Sequence, residues 1–315
     1  LFLLHGESKY MDVFERVLYN GLLSGVALSG DRFFYQNPLE SAGGYARSPW
    51  FEVACCPPNM SRFLPSLPGY VYATRDDVLY VNLFIGGDAS LSLGGRRVAL
   101  TQATDYPWEG EIALTVAPDR PAAFELAVRI PGWARGEAMP TDLYRFLDGP
   151  GAAGWAVAVN GASVPGDLRD GYVRIRRTWA AGDKVAISLP MPVRRVVANE
   201  AVAEDRGRVA LQRGPLVYAI EGVDNGDRVF DLVLPDGATL SAEPRPGLLN
   251  GVRVLTGRAE VVSRDAAGRT LAVPRPFLAV PYYAWANRGP GQMLVWLPRT
   301  PAAIRPPKKI DMSVD

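Results

Sequence analysis

The chain has 315 residues, 48% hydrophobic and 21% charged, the composition of a globular protein long enough for two or three domains. A formal net charge of +1 supplies no field to hold nucleic acid or an anionic membrane surface. No apolar run approaches the roughly 18 residues that a membrane span needs. Arg outnumbers Lys 30 to 4, which reads as the bias of a GC-rich coding sequence rather than a binding surface. The 2 cysteines are neighbours, Cys55 and Cys56, so they staple nothing, and a bond between them would be strained. Unpaired thiols favour a cytoplasmic setting. The sequence opens Leu1-Phe2-Leu3-Leu4-His5, with no initiator Met or basic leader, and reads as entered partway through an element.

Residues 1 to about 75 read as helical. Tyr10, Val13, Phe14, Val17, Leu18 and Leu22 recur at three- and four-residue spacing, the stripe of a packed helix. Gly30 to Pro38 reads as a turn, a short aromatic strand and a stop, followed by a Gly/Ser/Pro-rich loop. Pro57-Pro58-Asn59 precedes an apolar run from Met60 to Tyr72, a helix start with Asn59 as its cap. From about residue 77 the period changes to two. Strands are predicted at 78–85, 123–130, 155–159, 171–177 and 185–189, with a hairpin turn at Asn160-Gly161. More follow at 208–211, 216–221, 230–234, 271–273, 277–282 and 293–297, before a Pro-rich polar tail from Thr300 to Asp315. Short strands with frequent turns imply antiparallel sandwiches. The expected division is a helical segment over 1–75 and two β-sandwich domains over 76–190 and 191–315.

One motif carries chemistry. In Trp50-Phe51-Glu52-Val53-Ala54-Cys55-Cys56-Pro57-Pro58-Asn59, two thiols precede two prolines that stiffen the backbone ahead of a helix. Thiolates bind zinc, and a helix N-terminus lowers thiol pKa. The competing reading is two small buried hydrophobes. A closed zinc site wants four ligands, whereas the chain offers 2 Cys and 1 His. A site within the chain would need carboxylates such as Glu15 or Glu52, and His5 reads as an ordinary histidine. No phosphate loop, HExxH or Gly-x-Ser-x-Gly occurs. The clusters Asp76-Asp77 and Asp167 to Asp170 read as turn carboxylates. Trp108, Trp133, Trp155 and Trp179 read as core rather than sugar platforms.

Several longer runs carry a resemblance: Lys9 to Asn20, Phe33 to Glu40, Ala54 to Asn59, Arg129-Ile130-Pro131-Gly132-Trp133, Val159-Asn160-Gly161, Gly207 to Tyr218 and Tyr283 to Gly289. Together they resemble glycoside hydrolase family 127, the β-L-arabinofuranosidase-like proteins, over nearly the whole chain. The resemblance implies the remnant of a catalytic (α/α)6 barrel followed by β-sandwich domains. It implies retaining hydrolysis by a zinc-bound cysteine, with Cys55 as nucleophile and Cys55 and Cys56 as metal ligands. Glu15 and Tyr35 would line the sugar pocket.

In family members the acid/base Glu and a Glu-x-Cys pair of further zinc ligands lie upstream of the matched motifs. The chain alone is therefore expected to bind Zn²⁺ weakly or not at all, to hydrolyse no arabinofuranoside, and either to self-associate through its helical segment or to leave that segment poorly ordered. Two rivals compete with the enzyme reading. One is a non-catalytic β-sandwich module that binds carbohydrate or a partner protein; the other is a scaffold for assembly.

Overall fold

The structure is a computed structural model that describes residues 1–151 and 154–307. The end of the tail expected to be loose, residues 308–315, lies outside the described residues. The chain is mostly β, and it gathers into two compact units, each built from separated stretches. The first comprises residues 1–15, 61–140 and 149–192, the second residues 16–60, 141–148 and 193–315. The helical segment is thus shared between the two units rather than standing as a body of its own.

The first unit holds two sheets. One runs in the spatial order Ala162–Ser163, Ala156–Val159, Asp183–Ser188, Glu111–Pro118, Arg96–Thr104 and Gly87–Leu93, antiparallel throughout. Its period-two pattern is plain in Arg96–Thr104, where Val98, Leu100 and Gln102 are buried and their neighbours are not. The other runs Leu168–Arg169, Tyr172–Trp179, Ala122–Arg129, Val78–Val81 and Tyr72–Arg75. It departs from the all-antiparallel expectation at one place, because Val78–Val81 lies parallel to Ala122–Arg129. Asn160 and Gly161 take positive φ at the predicted hairpin turn, which pairs Val159 with Ala162.

The second unit holds an eleven-stranded antiparallel sheet. Its main path is Leu232–Val233, Val252–Arg264, Thr270–Pro281, Leu216–Glu221, Arg208–Arg213, Val193–Ala198 and Tyr144–Phe146. The strands expected at 271–273 and 277–282 are one element, Thr270–Pro281. Pro274 and Pro276 do not break it, because proline is tolerated where no ladder N–H is required.

Two helical expectations are corrected. The stripe beginning at Tyr10 is not the buried face of its helix. Ser8–Arg16 is α-helical and Val17–Leu22 is a π-helical turn, and the buried positions are Ser8, Met11, Glu15, Leu18 and Asn20. Val13 is 42% and Val17 52% exposed. The inward face mixes apolar Met11 and Leu18 with the ion-paired Glu15, so hydrophobic periodicity alone misplaces it. The second helix begins at Cys56, not after Asn59. First-turn N–H groups have no intrahelical partner, so Pro57 and Pro58 lose nothing there. It ends at Ser66, and a short helix, Pro68–Val71, follows.

Candidate active site

In the second unit, Tyr35 lies on an extended segment. Phe33 pairs with both Val26 and Ser48, and the Phe34 amide donates to the Gly25 carbonyl at 3.0 Å. Beneath this segment Arg47 is buried without a carboxylate of its own. It donates to the carbonyl oxygens of Ser24 (2.8 and 3.1 Å), Trp285 (2.7 Å) and Tyr283 (3.3 Å), and lies 4.2 Å from the centre of the Phe34 ring. Burial lowers its pKa to about 10. Phe34 stacks on Trp285 at 5.1 Å, and Tyr45 on Trp285 at 5.7 Å. The run Tyr283 to Gly289 therefore acts as the floor on which the Tyr35 segment rests.

The run Gly207 to Tyr218 anchors the helical turn in a similar way. Asn20 is buried; its amide nitrogen donates to the Pro215 carbonyl at 2.9 Å, and its carbonyl oxygen accepts from the Val217 amide at 2.7 Å. Arg16 donates to Gln212 at 2.9 Å. These motifs hold the frame by hydrogen bonds and ring stacking.

The two cysteines are free thiols at the start of the Cys56–Ser66 helix, Cys55 exposed and Cys56 half-buried. The Tyr35 hydroxyl lies 2.6 Å from Cys55 Sγ, and the two sulfurs are 3.6 Å apart. The hydrogen bond from Tyr35, then that from Cys56, holds the Cys55 thiol below its ordinary pKa. The same contact raises Tyr35 to about 12, and burial raises Cys56. Of two adjacent, chemically identical thiols, Cys55 is thus the one that ionises first and faces outward. Phe51 meets the Tyr35 ring edge-on at 5.1 Å, and Asn59 donates to the Cys55 carbonyl at 3.0 Å. Sequence reasoning gave Phe51 no role and read Asn59 only as a cap, although both lie in the motif. Tyr35 and Phe51 also line a cleft of about 200 Å³ with Phe33, Phe34, Gln36 and Tyr45.

The donor set can be tested for zinc. Two thiolates at about 2.3 Å from a tetrahedral zinc stand about 3.8 Å apart. The observed 3.6 Å fits two positions of one such shell. Among the described residues, no group of three or more His, Cys, Asp or Glu could hold a metal. Glu52 is exposed on the loop before the thiols. His5, in the first unit, is exposed and stacks on Tyr10 at 5.5 Å.

Glu15 belongs to the first unit and is 2% exposed. Its Oε1 accepts from Arg129 (2.5 Å) and Tyr106 (2.7 Å), its Oε2 from Trp133 (3.3 Å) and Arg129 (3.5 Å). Asp12 joins the cluster through Arg129 (2.8 Å), Arg135 (3.0 Å) and the Gly132 amide (3.1 Å). Burial would lower the Arg129 pKa, but Glu15 and then Asp12 more than offset this and hold it raised. In this arrangement Glu15 is enclosed by donors of the protein, and a sugar hydroxyl would have to displace one of them. Within the motif Arg129 to Trp133, the Arg129 guanidinium, the Gly132 amide and the Trp133 indole all meet Asp12 or Glu15. Trp179 is fully buried, whereas Trp108, Trp133 and Trp155 are half-buried.

Comparison with known proteins places these motifs. A beta-L-arabinofuranosidase GH127 catalytic domain matches residues 1–69, a GH127 middle domain residues 78–191, and a glycoside hydrolase family 127 C-terminal domain residues 193–298. The chain belongs to glycoside hydrolase family 127. It is 47% identical to a solved GH127 beta-arabinofuranosidase, with TM-score 0.93 over 97% of this chain and 48% of that one. A GH127 beta-L-arabinofuranosidase from Geobacillus stearothermophilus T6 is 41% identical, with TM-score 0.85 over 94% of this chain and 47% of its own. The non-reducing end beta-L-arabinofuranosidase of Bifidobacterium longum subsp. longum is 32% identical over 93% of this chain and 46% of its own length. The chain thus spans about half the length of these relatives.

Proposed function

We propose that this chain is the C-terminal part of a retaining glycosidase acting on β-L-arabinofuranosides, with Cys55 as nucleophile. Its helical segment would be a remnant of an (α/α)6 barrel, and its sheets would form β-sandwiches. The supporting observation is the exposed Cys55 sulfur 2.6 Å from the Tyr35 hydroxyl at a helix start. In the reaction the Cys55 sulfur bonds to the anomeric carbon as the carbon–oxygen bond to the leaving group breaks. An acid protonates the departing oxygen, and water then cleaves the carbon–sulfur bond. Cys55 and Cys56 would hold zinc, which when bound keeps the thiol deprotonated. Tyr35 donates to the sulfur and steadies it as an anion while leaving its outer side open. Glu15, kept as a sugar contact, would give up its long bond from Trp133 to accept a hydroxyl.

The test is hydrolysis of an aryl β-L-arabinofuranoside by the chain alone and by a polypeptide of the relatives' length that carries it. We expect zinc-dependent turnover only from the longer form, lost in Cys55→Ser. Full turnover in Cys55→Ser would remove the nucleophile assignment. The chain alone would also self-associate through its first unit, where Leu1, Leu3 and Val13 are exposed beside a groove of about 800 Å³. Light scattering that reports a clean monomer would exclude this.

A further inference from the structure

Resting on the reading of Cys55 and Cys56 as reacting thiol and companion ligand, we propose that Asn59 is a positioning residue that sets the separation of the two sulfurs. For adjacent residues joined by a planar peptide, that separation depends on few torsions. They are the ψ of the first residue, the φ of the second, and the two side-chain χ1 angles. The ψ of Cys55 is also what aims its carbonyl oxygen. Beside the first ladder bond that a helix-start carbonyl accepts, that oxygen accepts from Asn59 Nδ2 at 3.0 Å, so the side chain adds a second hold on the torsion that sets the spacing.

The surrounding sequence shows why a side chain serves here. A residue at a helix start normally folds its side chain onto the N–H groups two and three positions ahead. After Cys55 those positions are Pro57 and Pro58, which have no N–H. The Cys55 sulfur therefore cannot be drawn into capping and projects to Tyr35 instead. The Asn59 side-chain amide adds an anchor of its own at this first turn. The next residue fixes the turn from the other side, because a Cβ at Gly25 would come within 2.7 Å of Met60 Sδ. The outcome is a sulfur pair at 3.6 Å, close to the spacing of two thiolates on one tetrahedral ion.

The test uses a reagent that senses spacing without needing a complete metal shell. Phenylarsine oxide closes on two thiols: arsenic forms two As–S bonds, and its oxygen leaves as water with the two thiol protons. Titration of the full 315-residue chain should show one equivalent engaging both sulfurs. Asn59→Ala should weaken that binding about 10-fold, the usual effect of removing an outer-shell partner. Asn59→Ser should restore most of it, since a serine hydroxyl can donate to the carbonyl four residues back. Alkylation of Cys55 by iodoacetamide, which needs one sulfur, should be unchanged in all three. Wild-type affinity in Asn59→Ala would overturn the proposal, as would a wild-type chain that fails to close on both sulfurs. Should Asn59→Ala lose helix by circular dichroism, Asn59→Ser decides: near wild-type binding supports the proposal, and binding as weak as in the alanine variant overturns it. An intact arsenical ranking with no hydrolysis from the longer polypeptide would instead remove the glycosidase reading alone.

Discussion

The hydroxyl of Tyr35 lies 2.6 Å from the sulfur of Cys55, and each group moves the other's acidity in the opposite direction. Cys55 sits below the ordinary thiol pKa while burial sets Cys56 above it. Thiolates alkylate and thiols do not. As pH rises, iodoacetamide should therefore modify Cys55 first, and there should be a window in which Cys55 reacts and Cys56 does not. Tyr35→Phe removes the donor that stabilises the anion, so its Cys55 midpoint should move up and the window narrow. Peptide mapping after timed labelling across pH measures this. An unchanged midpoint in Tyr35→Phe would mean the hydrogen bond does not govern the thiol.

Glu15 separates a structural role from a sugar-binding one. Its carboxylate is buried against Arg129, so Glu15→Gln leaves a buried guanidinium with Asp12 as its remaining partner. Breaking a buried pair from one side costs about 3–5 kcal/mol, with the lower end expected where a second carboxylate remains. Denaturant unfolding followed by intrinsic fluorescence should show the loss without any ligand present. Wild-type stability in Glu15→Gln would show that the ion pair with Arg129 does not hold this part of the fold.

Much of this was legible in sequence, and the misses have physical causes. Several strands bounded by turn residues were found within one or two positions, as with Ala156–Val159 ahead of Asn160-Gly161, whereas the strand expected at 78–85 ends at Val81. The strands Arg96–Thr104 and Glu111–Pro118 were missed because, after a charged start, their outward positions carry Ala and Thr, which dilutes the alternation. The Cys-Cys motif named its residues but not their geometry. That Tyr35, twenty positions earlier, reaches Cys55 depends on the pairing of Phe33 with Ser48, a long-range contact that no local pattern encodes. The role of Glu15 was hidden for a similar reason, because its partner Arg129 stands more than a hundred residues away.

Gly110 offers a test of the first unit's packing. A Cβ built there would lie 1.8 Å from the Leu189 carbonyl oxygen, and the Leu189 amide donates to the Gly110 carbonyl at 2.9 Å. The obstacle is backbone, so no side-chain rotation relieves it. Gly110→Ala must push the two segments apart, with a cost of about 1–3 kcal/mol. Thermal unfolding should show a clear fall in Tm. A control at Gly30, which meets nothing nearby but has φ +80°, should lose less, through backbone strain alone. Equal losses at both sites would refute the close-approach argument.

The chain alone offers two sulfurs at a spacing that suits one ion, half of a tetrahedral shell. Zinc should accordingly be lost on dialysis against a chelator, and stoichiometric retention would show that other residues complete the shell. In a polypeptide of the relatives' length, Cys55→Ser should abolish turnover with modest loss of zinc. Cys56→Ser should weaken zinc first, with activity partly recovered by added metal. Were the cysteines merely packed hydrophobes, both changes would act only through stability. Cys55 is exposed, so Cys55→Ser should unfold with the same midpoint as the parent. Lost turnover at unchanged stability would assign the effect to the sulfur itself, whereas a matching fall in stability would assign it to packing.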